Sequence, residues 1–118
     1  MMALAIAIGA FGAHGLKAIL NESLMKIYQT GVQYHFYNTL GLFVIAFMTY
    51  ILPHSKKIVV SGYMLFAGTL IFSFSLYLLV LLKVSWLGAI TPIGGTLMII
   101  AWLLFAYSVL KDLKIDNN

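Results

Sequence analysis

Residues 58–82 read IVVSGYMLFAGTLIFSFSLYLLVLL, 25 positions without one Lys, Arg, Asp or Glu. A helix rises about 1.5 Å per residue and needs about 20 apolar residues to cross the ~30 Å hydrocarbon core of a bilayer. This stretch is long enough to do so with residues to spare. Outward from it, 27–55 and 84–110 are equally free of formal charge, and a shorter apolar run, Met1–Gly15, precedes them. The pattern predicts an all-α integral membrane protein, a compact bundle of four transmembrane helices. The spans fall at about residues 1–16, 27–52, 58–82 and 92–110, and a polar, frayed C-terminal tail occupies 111–118.

Composition supports this class. Only 8% of the 118 residues are charged, against about 25% in a soluble domain, and four spans leave no room for a soluble catalytic domain. The net charge of +4 comes from seven Lys against three acids, with no Arg. These Lys stand at span ends, where they snorkel and set topology, so the basic balance does not indicate nucleic acid. Cysteine is absent, which excludes disulfides and thiol chemistry. The N-terminal run lacks a basic leader, so it reads as a span and not as a signal peptide. Lys56, Lys57, Lys111 and Lys114 fall on one side of the four-span topology, and Lys17, Lys26 and Lys83 on the other. By the positive-inside rule this places both termini in the cytoplasm.

Small residues predict how the spans pack. Ala5, Gly9 and Gly12 form one face of the first span and Ala3, Ala7 and Ala10 another, which suggests a central helix with two neighbours. Asn21 or Ser23 caps the second span, with Glu22 at its positive end, and Pro53 ends it. In the third span, Ser61, Gly68 and Ser75 recur every seven residues as a packing seam. Thr91-Pro92 opens the fourth span as a cap followed by proline. Gly94-Gly95 behind it either packs closely or offers free N–H groups to an anion. Trp86 and Tyr107 mark that span's two ends.

Polar residues within the spans are the candidates for function. Thr30, Gln33, Tyr34, Tyr37, Asn38 and Gly41 lie along one side of the second span when placed at about 100° per residue, with Tyr28 and His35 off it. Gly62, Phe66, Thr69, Ser73 and Tyr77 make a corresponding face on the third. Connectivity gathers His14, Gln29, Gln33, Tyr34, Tyr37, Asn38, Ser73, Tyr77 and Thr91 into one half of the bilayer, and polar groups in lipid require partners. They serve either as interhelical hydrogen bonds or as the lining of a small-molecule, quinone or lipid-headgroup pocket. His14 is a metal, haem or proton-relay candidate, or a span-end histidine bonded to a carbonyl. His14 and His35 fall short of the three or four ligands a zinc site takes. No metal and no cofactor is expected.

Four segments, Gly9-Ala-Phe-Gly-Ala-His14-Gly, Gln29-Thr-Gly-Val-Gln-Tyr34, Phe72-Ser-Phe-Ser-Leu-Tyr77 and Thr91-Pro-Ile-Gly-Gly95, resemble, in order, motifs of the small membrane-protein family known as domain of unknown function 423, found mostly in bacteria. The resemblance covers nearly the whole chain. It implies four spans and the plasma membrane, and carries no established activity. His35 stands where members usually have Gln, Asn38 where they have His, and Phe74 where they have Gly. The family pattern also reaches further toward the N-terminus.

The functional expectation is a non-enzymatic membrane protein that supports envelope integrity or assembles with itself or a membrane-protein partner, in contact with membrane lipids. The alternative is a binding or transport protein with its pocket in the polar half. No carboxylate lies in a span and no nucleophile–base spacing is evident, so an enzyme ranks third.

Overall fold

The computed structural model describes residues 1–116, and these are helical throughout apart from short connections. Helix α1 (Met2–Phe11) loosens into a π-helical turn over Gly12–Leu16; α2 runs from Glu22 to Ile51 and α3 from Lys56 to Leu82. A 3-10 turn, Ser85–Ala89, leads into α4 (Thr91–Asp116). The ends follow local chemistry. The Asn21 side chain accepts the Leu24 N–H at 2.8 Å and so caps α2, satisfying one orphan donor of its first turn. Lys83 ends α3 in the left-handed region, with φ 54°, a position that favours glycine.

Among the described residues, two helical segments are long and apolar enough to cross a bilayer, Lys56–Leu82 and Ser85–Ile115. α2 has the length but carries Gln29, Gln33, His35 and Asn38. The segment Met2–Leu16 is apolar but short.

The arrangement is flatter than a closed bundle, with extents of 59 × 26 × 16 Å. α3 is the central helix: both α2 and α4 pack on it, while α1 packs on α2. The expectation that the first span is central is therefore corrected. Its small faces do not seat two neighbours; Gly9 accommodates Val32 and Gly12 accommodates the Tyr28 ring, both from α2.

The α3–α4 contact is the closest. A Cβ at Gly94 would lie 2.8 Å from Gly68 O and 2.5 Å from Phe72 N, so the two backbones nearly touch. Ser61, Gly68 and Ser75 are all buried, and the Ser75 and Thr91 hydroxyls bond at 2.6 Å across the seam. Beside it, Ile45, Leu52, Ile58, Leu65, Met98 and Ala101 form one apolar core; Leu16, Tyr28, Tyr77 and Val80 form a second toward the other end.

Two boundaries differ from the sequence expectation. α2 begins about a turn earlier, because its cap is Asn21. α4 continues to Asp116 where a frayed tail was expected from Lys111. Asp112 and Ile115 line a cavity of about 190 Å³ together with Leu52, His54 and Ser55 of the α2–α3 turn. Asn117 and Asn118, the rest of the expected tail, lie outside the described residues.

Candidate functional site

The polar side chains resolve into separate groups, and the single cluster expected from connectivity does not form. The reason lies in the arc they cover. Gln33 and Asn38 are five residues apart, about 140° around a helix, and the neighbours of α2 cover only the Asn38 edge of that arc. Gln33, Tyr34 and Tyr37 face outward, Tyr37 at 56% exposure, while Asn38 and Gly41 are buried. Gln29 also faces outward, and His14 is exposed on the π turn, bonded to nothing in the cluster.

The first group is internal. His35, which the sequence places off the polar side, is completely buried; its Nδ1 pairs with the Tyr77 hydroxyl at 3.1 Å. The Phe74 and Tyr77 rings pack around it, and Tyr77 in turn meets Tyr28 at 5.4 Å between centroids. The Tyr28 hydroxyl donates to Ile8 O at 2.6 Å, tying α1 to α2. Ser73 donates to Gly31 O at 2.8 Å, tying α3 to α2. Only His35 Nε2 and Ser55 Oγ are buried without a partner among the described residues. Gly31 was the missed signal. It sits one turn before His35, and the Tyr77 ring occupies the space where its side chain would be, so small residues on α2 mark its α3-facing side better than polar ones do.

The second group lines a cleft between α2 and α4. Asn38 lies at its base; its Oδ1 accepts from Trp102 Nε1 at 3.2 Å and its Nδ2 donates to Met98 Sδ at 2.8 Å. Tyr34, Phe72, Gly95 and Ile99 complete walls around about 430 Å³. The third group is the outward pair: Gln33 Nε2 donates to the Tyr37 hydroxyl at 2.8 Å. A neighbouring α1–α2 cleft of about 360 Å³ is lined by Gly9, Gly12, Gln29 and Gln33. The Ser75 and Thr91 hydroxyls bond each other within the α3–α4 seam and also reach Phe72 O and Leu87 O; Thr91 is thus the first residue of α4 and not the cap that the sequence predicts, because its hydroxyl turns back to the preceding carbonyl and to α3. At the far end of the molecule, Lys57 and Lys111 approach the Tyr107 ring at 5.2 and 5.8 Å.

Several of these groups join one helix to another. Apart from Ser55, the buried hydroxyls and phenols described above donate to a backbone carbonyl or meet another side chain inside the protein. Among the described residues, no three of His, Asp and Glu lie close enough to hold a metal ion.

Residues 8–95 match the family described as "Protein of unknown function (DUF423)". The chain belongs to this family. It is 44% identical over 110 residues to the UPF0382 membrane protein YwdK of Bacillus subtilis, which covers 93% of this chain and 89% of that one. It is likewise 44% identical over 108 residues to the UPF0382 membrane protein SERP0230 of Staphylococcus epidermidis, covering 92% and 87%. A relative in Staphylococcus aureus, SAB0533, is 37% identical over 108 residues, covering 92% and 87%. No solved structure matches. With two helices of its own long and apolar enough to cross a bilayer, this member of DUF423 is a membrane protein, as its relatives are named.

Proposed function

We propose that this protein is a small four-span protein of the bacterial plasma membrane that works by assembly in the bilayer and not by catalysis, supporting the envelope through contacts with itself or partner membrane proteins. α1 with its π turn and α2 supply the two less apolar spans, and both termini lie on the side of Lys56 and Lys57. The observation that carries the reading is the outward Gln33–Tyr37 pair. Lys57 and Lys83 bracket α3, which puts Leu70 near the middle of the membrane. Gly31 packs against Ser73 and Gly41 against Leu65, so the midplane crosses α2 near residue 35. Gln33 and Tyr37 then lie within about 5 Å of it. An amide and a phenol open to hydrocarbon at that depth cost several kcal/mol unless another protein covers them.

Native mass spectrometry in mild detergent tests this reading. Multimers that persist on dilution are the expected result, and monomer alone at every protein-to-detergent ratio would count against it. The Asn38 cleft supports a second reading, in which a small molecule, a quinone or a lipid headgroup binds between aromatic walls beside a buried amide. The same spectra would then carry a retained non-protein mass that Trp102→Ala reduces.

A further inference from the structure

We propose that two copies of this chain pair through the outward face of α2, with Gln33 and Tyr37 of both copies closing one reciprocal ring of hydrogen bonds. The proposal rests on the assembly reading above and names its surface and its partner.

The pair is self-complementary. Gln33 Nε2 donates one of its two hydrogens to the Tyr37 hydroxyl oxygen, which leaves the Tyr37 proton, the second Nε2 hydrogen and Gln33 Oε1 without a partner among the described residues. One copy therefore presents both donors and an acceptor, and a second copy can meet the Tyr37 proton and the Gln33 oxygen in return. Copies in one membrane share an orientation, so a two-fold axis along the bilayer normal sets identical residues at identical height. The ring therefore needs its donor and acceptor at nearly one height within each chain. The 2.8 Å bond brings the Gln33 amide to the Tyr37 hydroxyl although their backbones stand a full turn apart, so the donor and the acceptor lie within a few ångströms of each other. Tyr37 O–H of each copy then donates to Gln33 Oε1 of the other, and every polar atom of the pair is bonded.

The face around the pair continues in the same register. Gln33, Tyr37, Leu40, Val44 and Phe47 recur at alternating steps of four and three and are all exposed. At about 100° per residue they fall within a narrow sector on the side of α2 away from α3. That spacing is the seam of a parallel, left-handed helix pair. The apolar positions supply packing, and the single polar layer fixes register and excludes lipid. Among the described residues, the outward faces of α3 and α4 carry no such pair at this depth; there Phe66, Ile99 and Ile100 are exposed, and lipid solvates them without cost.

The test uses the absence of cysteine from the chain. Leu40, Phe66 and Ile100 lie at similar heights on three outward faces, so single-cysteine variants collide equally often unless a surface is specific. Oxidation in membranes should give disulfide dimers for Leu40→Cys and Val44→Cys and monomers for Phe66→Cys and Ile100→Cys. Energy transfer between labelled chains in phosphatidylethanolamine–phosphatidylglycerol vesicles should show Tyr37→Phe weakening the dimer about ten-fold, with Gln33→Leu similar. Both side chains face outward, and the hydrogen bond that either change removes within the chain is the Gln33–Tyr37 bond itself. Dimers that cross-link only through Phe66 or Ile100 would overturn this surface while leaving assembly standing. Monomers throughout would overturn both. Leu40→Cys linked only to a different protein would overturn the second copy as the occupant.

Discussion

Gly94→Ala should loosen the contact between α3 and α4, and the structure sets the size of the effect. The added methyl would sit 2.5 Å from Phe72 N, 2.8 Å from Gly68 O and 2.9 Å from Phe72 Cα. All three are backbone atoms, so no side-chain rotation relieves them. Restoring ordinary contact requires α4 to move off α3 by roughly 1 Å, a gap that forfeits a quarter to a half of the dispersion energy across it. Overpacking of this kind costs about 1–3 kcal/mol. The Ser75–Thr91 bond one turn away, at 2.6 Å, stretches with it and adds about 0.6–1.7 kcal/mol. Replacing a helical glycine returns up to about 1 kcal/mol. The net expectation is a loss of about 1–4 kcal/mol. Gly95→Ala is the matched control, because its methyl would meet only Phe72 Cδ2 and Cε2 at 3.6 and 3.7 Å, ordinary contact. Unfolding by SDS in mixed micelles, followed by Trp fluorescence, reads both variants. Gly94→Ala as stable as the parent, or Gly95→Ala the more damaging of the two, would refute the close backbone crossing.

Two further expectations concern single positions. Tyr77→Phe removes the one partner of His35, leaving both ring nitrogens buried and unpaired; it should cost about 1–3 kcal/mol in the same assay, and His35→Leu in the Tyr77→Phe background should recover part of that loss. Lys83→Gly should raise the thermal midpoint in detergent, because Lys pays about 1–2 kcal/mol for the left-handed conformation at the end of α3; a lowered midpoint would mean that the Lys83 side chain contributes more than its backbone costs.

The helical class and the approximate positions of the helices were legible in the chain itself, and the cap of α2 was narrowed to Asn21 or Ser23, of which the structure uses Asn21. They depend on local quantities: the length of uncharged runs and the i to i+3 reach of a capping side chain. The Ser61–Gly68–Ser75 seam was legible for a similar reason, since a repeat of seven keeps small residues on one side of a helix whichever helix meets it. The extension of α4 through Asp116 was not, because its last turns are polar and the residues beside them, Leu52, His54 and Ser55, are far away in sequence.

The candidate site shows the division most clearly. The sequence determined that α2 carries amides, phenols and a histidine, and that in lipid each needs a partner. It did not determine which of them turn inward. A helix repeat fixes the angles between side chains but leaves the rotation of the helix about its own axis free. Contacts from other elements set that rotation: Tyr77 against Gly31 and Trp102 against Gly41 turn His35 and Asn38 into the protein and Gln33 and Tyr37 out of it. Only the tertiary structure decided this, because the clearance at a glycine depends on the side chain that another helix brings to it.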